Sequence, residues 1–304
     1  MAANLYTNQS TNMRKTWVLM SMFFVIVILL GWFVSYYFQN PGILFFAVIF
    51  SIFMNIFSYW YSDKIVLKMS GAKEASKEKY WDLYTTVENL SITAGLPMPK
   101  IYVIEEPVPN AFATGRDKDH AVVAFTTGIL SLLNKTELEG VVAHELSHIG
   151  NRDILLQTVV VVLVGFVTLL ADFFLRVSLY GGGNRNSEGG GKMQMVLLVI
   201  GVVFVLLSPV IATLIQLAIS RKREFLADAS GAMLTRYPEG LASALEKISG
   251  HGGKMKKANH ATAHLFISDP YGGKKKKISF LHKIFLTHPP VEERVGSLRG
   301  HRNA

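Results

Sequence analysis

The stretch VVAHELSHIGNRD, from Val141 to Asp153, places two histidines and a glutamate within five positions of an apolar segment. Apolar residues recur at helical spacing from the preceding TELEG segment through Ile149. Thr136 and Glu139 have the spacing of a capping box, in which each side chain accepts a hydrogen bond from the backbone of the other residue. The stretch therefore predicts a helix that begins near Thr136.

On such a helix, His144 and His148 are four positions apart and lie on the same face. Their imidazole nitrogens can both reach one zinc ion at about 2 Å. Glu145 lies beside that ion without having to bind it, and its carboxylate can take a proton from the attacking water. This H-E-x-x-H arrangement predicts a hydrolytic site with one Zn²⁺ per chain.

Two imidazoles leave a catalytic zinc site one protein ligand short. The best candidate for the third ligand is Glu224, in the segment SRKREFLAD that follows the last apolar segment. Asp228 comes four residues later on the same face of a predicted helix, where it can accept a hydrogen bond from a histidine ligand. The alternative interpretation of Glu224 is one half of a surface ion pair with its basic neighbours.

The chain as a whole is apolar: half of its 304 residues are hydrophobic and only 17% are charged. Four segments are long enough to cross a hydrocarbon core of about 30 Å as helices, over residues 17–38, 42–62, 154–175 and 193–219. Burial in a soluble core is the alternative for the second pair, because that pair contains Asp172, Pro209 and Gln216. The predicted organisation is a transmembrane hairpin (1–62), a first catalytic part (63–153), a second transmembrane hairpin (154–219) and a second catalytic part (220–304).

Basic residues indicate the orientation in the membrane. Arg14 and Lys15 precede the first apolar segment and Lys64 follows the second, so the positive-inside rule places both ends of that hairpin in the cytoplasm. The net charge of +9 includes seven lysines between Lys254 and Lys277. We interpret this glycine-rich stretch as a loop near anionic lipid headgroups, or as a merely solvated loop, and not as a nucleic-acid surface. With no cysteine, the chain has neither disulfides nor thiolate metal ligands.

The segment before the motif predicts a helix followed by a small antiparallel sheet. Helical spacing extends from Lys73 to Thr93, and glycine and proline then end the pattern. Three short strands are predicted over residues 100–106, 110–115 and 120–126, the last two joined as a hairpin by the polar turn RDKD.

The order of these features resembles that of the HtpX-type heat-shock membrane metalloproteases, relatives of the CAAX prenyl endopeptidases. HELSH and REFLAD carry the resemblance, together with two apolar segments ahead of them and two between them. The resemblance implies a zinc endopeptidase of the inner (plasma) membrane whose active site faces the cytoplasm and which takes part in the quality control of membrane proteins. In that family the glutamate of the second motif, here Glu224, is the third zinc ligand.

The resemblance also implies substrate contacts. The string NAFA, comprising Asn110, Ala111, Phe112 and Ala113, matches an edge strand along which these proteases bind an extended membrane-protein substrate. The alternative is an ordinary strand covered by the rest of the fold. THPP near the C-terminus matches a segment whose histidine, here His288, lies near the reacting carbonyl; the alternative is a capping or surface histidine.

We therefore expect an α+β fold, mainly α with a small antiparallel sheet: a zincin-like metalloprotease domain with transmembrane helices. Its partners would be membrane-protein substrates and the lipid bilayer, and the oligomeric state stays open. One rival is a membrane scaffold or binding protein with a structural metal, but a structural site normally closes the coordination position that three ligands leave open. A second rival, a basic adaptor at the membrane surface, leaves HELSH unexplained.

Overall fold

The structure is a computed structural model that describes residues 5–180, 201, 221–251, 253–256, 262, 265–268, 270 and 289–300. The helices are α1 (Leu5–Phe38), α2 (Pro41–Ser70), α3 (Trp81–Ala94), α4 (Thr127–Leu132), α5 (Lys135–Gly150), α6 (Asp153–Tyr180), α7 (Arg221–Thr235), α8 (Pro238–His251) and α9 (Val291–Leu298). The strands are β1 (Lys73–Glu74), β2 (Lys100–Ile104), β3 (Ala111–Gly115) and β4 (Ala121–Thr126).

The first two helices form the predicted N-terminal hairpin. Within them, residues 10–36 and 41–70 are long and apolar enough to cross a membrane. Asn40 caps α2 by accepting a hydrogen bond from the backbone N–H of Gly42 at 3.0 Å, and Pro41 occupies the first helical position, which needs no donor. Large apolar side chains are exposed along both helices, as expected for surfaces that face lipid. The chain is a membrane protein.

The third apolar segment continues from the motif helix through a sharp bend. Residues 135–150 of α5 and 153–166 of α6 meet at an angle of 83°. Only when taken together are these two helical segments long and apolar enough to cross a membrane. Arg152 in the bend has a left-handed backbone (φ 57°). The predicted fourth segment lies outside the described residues except for position 201, so only the first half of the predicted second hairpin, to residue 180, is described.

The sheet is mixed, so the prediction of an antiparallel sheet was wrong in part. Its strand order is β1-β2-β4-β3. β3 and β4 form the predicted antiparallel hairpin, whereas β2 pairs with β4 in parallel. The cause is the position of β4, which lies between β2 and β3. Strand direction reverses from β2 to β3 and again from β3 to β4, so β2 and β4 are parallel neighbours. Sequence patterns fix each strand but not which strands are neighbours.

The sheet separates the membrane helices from the motif helix. Because side chains alternate along a strand, Phe112, Val122 and Ala124 pack on one face against α1, α2 and α6. Ala113, Val123 and other residues of the opposite face pack against α3, α5 and α8. Both faces are therefore apolar, and the edge strand β3 lies between the membrane helices and α5.

Two local predictions need correction. The capping box of α5 is formed by Asn134 and Glu137, not by Thr136 and Glu139, because Asn134 supplies the acceptor two residues earlier and Glu137 reaches back to its backbone N–H at 2.9 Å. The helix predicted from Lys73 begins only at Trp81, since Lys73 and Glu74 pair with β2 as strand β1.

Candidate metal centre

Three side chains from two distant segments meet in a buried site. His144 and His148 come from α5 and Glu224 from α7, and their ligand atoms all lie within 4.8 Å of one another. Gly231 allows α7 to approach α5 closely, because a β-carbon there would lie 3.0 Å from the backbone nitrogen of His144. All three side chains are buried.

The distances fit a single tetrahedral ion. Two ligands bound at 2.0–2.1 Å to a tetrahedral ion are separated by about 3.3 Å. The Nε2 atoms of His144 and His148 are 3.2 Å apart, and Glu224 approaches them at 3.8 Å (Oε2 to His144) and 3.5 Å (Oε1 to His148). The donor set of two imidazole nitrogens and one carboxylate oxygen is the set that catalytic zinc sites use.

The outer nitrogen of each histidine contacts a carboxylate. Nδ1 of His144 is 3.0 Å from Asp228, as the sequence predicted, and Nδ1 of His148 is 3.1 Å from Asp153, which the sequence analysis did not single out. A proton on Nδ1 leaves Nε2 unprotonated and free to bind a metal. The two carboxylates therefore favour the tautomer that ligation through Nε2 requires.

The two histidines differ in their tendency to bind a second proton. Burial lowers the pKa of His144 below its ordinary value, and the nearby guanidinium of Arg294 acts in the same direction. Burial also opposes a charge on His148, but the hydrogen bond to Asp153 and the carboxylates of Glu224 and Glu145 raise its pKa to about 9. Of the two histidines, His148 is therefore the one that more readily binds a second proton.

Glu145 lies next to the ligands and beside the edge strand. Burial raises its pKa to about 7, and the negative charge of Glu224 adds to the effect. A hydrogen bond from the backbone N–H of Ala113 opposes this shift. Glu145 thus lies between the metal ligands and β3.

The outer edge of β3 already has partners. Ala111 accepts a hydrogen bond from the backbone N–H of Ile267 at 3.0 Å. Asn110 clamps the same segment, since its side chain donates to the carbonyl of Ser268 at 2.9 Å and accepts from the N–H of Ser268 at 3.1 Å. Phe266 packs edge-on against Phe112 with ring centroids 5.2 Å apart. The NAFA strand is thus an edge strand whose first residues are covered by residues 265–268.

Arg294 on α9 belongs to the site and was missed by the sequence analysis. Its guanidinium donates to both carboxylate oxygens of Asp228, at 2.8 and 2.6 Å, and lies 3.7 Å from Glu224. A signal existed: Val291, Arg294, Val295 and Leu298 have the spacing of one helical face, and a charge on an otherwise apolar face needs a buried partner. His288, the other predicted residue near the C-terminus, lies outside the described residues.

Comparison with known proteins points to one family. The model of peptidase family M48 matches residues 77–302. The chain is 47% identical over 298 residues to a protease HtpX homolog of Caldanaerobacter subterraneus subsp. tengcongensis, covering 97% of each chain. It is 46% identical to the corresponding homolog of Thermoanaerobacter pseudethanolicus, again covering 97% of each.

A solved structure shows the same fold. The crystal structure of S. mikatae Ste24p aligns with a TM-score of 0.51 at 18% identity, covering 96% of this chain and 67% of that one. The predicted family resemblance and the α+β fold with transmembrane helices are confirmed.

Proposed function

The chain belongs to peptidase family M48 and is an HtpX-type membrane metalloprotease, and we propose that it is a zinc endopeptidase that cleaves misfolded or damaged membrane proteins on the cytoplasmic side of the inner membrane. In this proposal His144, His148 and Glu224 hold the zinc and Glu145 is the general base. The observation that carries the proposal is the convergence of the three ligand atoms within 4.8 Å.

Each residue of the centre has a distinct chemical task. When bound, zinc would polarise the scissile carbonyl and promote ionisation of the attacking water. Glu145 takes the proton of that water and then delivers it to the leaving amine, a task that suits a carboxyl group whose pKa is about 7. Asp228 and Asp153 hold the two histidines in the ligating tautomer.

Arg294 keeps the charges of this buried site in balance. Asp228 is buried and has a bidentate partner in Arg294, which holds the pKa of that carboxyl below its ordinary value despite the burial. A buried carboxylate without such a partner would be costly. Arg294 therefore keeps Asp228 ionised, so that it can accept the hydrogen bond from His144.

The substrate pairs with β3 in an extended conformation. Backbone pairing binds any unfolded segment irrespective of its side chains, which suits a protease that removes misfolded proteins. Because residues 265–268 contact Asn110 and Ala111, a substrate that uses the whole strand has to displace them. The apolar helices α1 and α2 keep the site close to membrane-protein substrates.

The orientation follows from the basic residues at the ends of the first hairpin. Arg14 lies near the start of α1, and Lys64 and Lys68 lie near the end of α2, with no charged residue in the connection between the two helices. The positive-inside rule places these ends, and the catalytic parts that follow them, in the cytoplasm.

The substitution Glu145→Gln tests the role of the base. The amide is nearly isosteric with the carboxyl group but cannot accept the proton of the water. We expect zinc content to stay at the wild-type level while hydrolysis of an unfolded membrane-protein substrate falls at least 100-fold, measured by fragment release from the full-length protein in detergent.

Glu139→Gln is the matched control, since it makes the same change on the same helix at a partly buried position away from the ligands. It should keep both zinc and activity. Wild-type turnover by Glu145→Gln would remove Glu145 from the mechanism.

A further inference from the structure

A buried polar cluster connects the N-terminal transmembrane hairpin to the metal centre. Asn12 of α1 is 4% exposed. Its side-chain amide donates to Oδ1 of Asp153 at 2.6 Å and to the backbone carbonyl of Asn151 at 3.3 Å. Its side-chain oxygen accepts a hydrogen bond from Arg223 at 3.2 Å.

Each partner of Asn12 is adjacent to a metal ligand. Asp153 uses its other oxygen, Oδ2, to contact Nδ1 of His148 at 3.1 Å. Arg223 immediately precedes Glu224 on α7. Asn12 therefore bridges the end of the motif helix and the start of the helix that carries the third ligand, which are otherwise far apart in sequence.

We propose that Asn12 is a positioning residue for the metal centre: it fixes Asp153, which orients His148, and it fixes Arg223 beside Glu224. In addition to anchoring the protein, helix α1 thus supplies a residue to the hydrogen-bond network around the ligands. The inference rests on the ligand set His144, His148 and Glu224 of the proposed function.

The hydrogen-bonding requirements favour this role over ordinary packing. Asp153 has two oxygens: Oδ2 is directed at the histidine, and Oδ1 accepts from the amide of Asn12 at 2.6 Å with Nε of Arg223 farther away at 3.8 Å, so the short contact to the amide helps to set how the carboxylate is rotated. A carboxylate that accepts hydrogen bonds from both sides is held in one orientation, whereas a carboxylate with a single partner can turn. Partners of this kind change metal affinity by about 10- to 100-fold when they are removed.

The test uses the full-length protein in detergent, loaded with Zn²⁺ or with Co²⁺, whose visible absorption bands report ligand geometry. We expect Asn12→Leu, which is similar in shape but cannot form hydrogen bonds, to lose Zn²⁺ to a chelator about 10-fold faster than wild type. The Co²⁺ bands should shift in Asn12→Leu, and in Asp153→Asn in the same direction.

Asn55→Leu is the matched control. It makes the same substitution in a partly buried position of α2, where, within the described part of the chain, the amide of Asn55 donates to the backbone carbonyl of Ser51 in its own helix. It should keep the wild-type zinc release and Co²⁺ bands. If Asn12→Leu does not fold, Asn12→Ser replaces it, because the smaller side chain leaves room for water while its hydroxyl is too short to bridge Asp153 and Arg223.

The outcomes separate the inference from the proposed function. If His148→Ala holds Zn²⁺ as tightly as wild type, the ligand set is wrong and the inference fails with it. If His148→Ala loses Zn²⁺ but the Asn12 variants match Asn55→Leu in both zinc release and Co²⁺ bands, the inference alone is overturned. The double variant Asn12→Leu/Asp153→Asn should release Zn²⁺ less fast than the two single effects combined predict, because both residues act on His148 through one contact; fully additive effects would overturn the coupling through Asp153.

Discussion

His148 and Glu145 are neighbours in one buried site, and both have a strongly shifted affinity for protons. The pKa of His148 is raised to about 9 and that of Glu145 to about 7. Burial disfavours the charged form of either group: it raises the pKa of Glu145, whereas at His148 the surrounding carboxylates outweigh it and raise the pKa of the imidazole. The carboxylates of the metal centre thus favour a positive charge beside them. Without a metal, a second proton on His148 supplies that charge.

Zinc binding should therefore release a proton well above the ordinary pKa of histidine. At pH 8, a group of pKa 9 is about 90% protonated, whereas an imidazole of pKa 6.5 is about 3% protonated. A histidine must be neutral at the binding nitrogen to ligate zinc. We expect the release of about one proton per zinc at pH 8, measured by calorimetric titration in two buffers of different ionisation enthalpy.

The part of the proton release that comes from His148 should fall as the pH rises above 9, because a growing fraction of His148 is then neutral before zinc binds. This pH series is the internal control. Equal heats in the two buffers at pH 8 would contradict the raised pKa of His148.

At the residue scale, sequence patterns predicted the proposed ligands and one of their partners, Asp228, but not the partners that come from other helices. His144, Glu145 and His148 share a short motif, and Glu224 has Asp228 one helical turn away. Asn12, Asp153 and Arg294 reach the site from other helices, and their contacts depend on how those helices pack. Of these three residues, only Arg294 could have been recognised from the sequence, as a charge on an apolar helical face.

At the element scale, the two edges of strand β3 have different partners. Its inner edge pairs with β4, and its outer edge faces Glu145 at Ala113 but is covered by Ile267 at Ala111. Strand periodicity predicted β3 and its hairpin, but the cover comes from a segment about 150 residues later and has no local signal. A strand edge occupied in this way has to open before a substrate can pair along its full length.

Locking the cover in place should abolish hydrolysis. Ala111 and Ile267 are joined by a backbone hydrogen bond and their side chains lie in the same apolar cluster, so we choose this pair for an engineered disulfide. We expect the double variant Ala111→Cys/Ile267→Cys to lose activity when oxidised and to recover it when reduced, measured on the same sample.

Each single cysteine variant is a control, and neither should respond to oxidation, because the chain has no other cysteine. Full activity of the oxidised, cross-linked protein would show that substrate does not need the covered part of β3.

At the scale of the whole molecule, the metal centre depends on the membrane topology. His144 and His148 precede the third apolar segment and Glu224 follows the fourth, so the ligands meet only if both segments cross the membrane or neither does. Sequence patterns predicted the four apolar segments and the order of the catalytic parts. They could not predict the 83° bend between α5 and α6, since two contiguous helices have no sequence signal for their angle.

Single cysteines in this cysteine-free chain test the topology. Ser76→Cys and Ala229→Cys, at exposed positions of the two catalytic parts, should be shielded from a membrane-impermeant thiol reagent in intact cells and should react after permeabilisation. Asn186→Cys, between the third and fourth apolar segments, should react from outside if the pair spans the membrane. Reaction of Ser76→Cys and Ala229→Cys from opposite sides would be incompatible with a shared metal site.

The most direct test of the central claim is the zinc content of the purified full-length protein and its Glu224→Ala variant. Because Glu224 is the one ligand that comes from beyond the membrane segments, its removal should break the centre while Glu145→Gln leaves it intact. Elemental analysis should find one zinc per chain in wild type and in Glu145→Gln, and a small fraction of that in Glu224→Ala. One zinc per chain in Glu224→Ala would contradict the proposed convergence of the two motifs on a single ion.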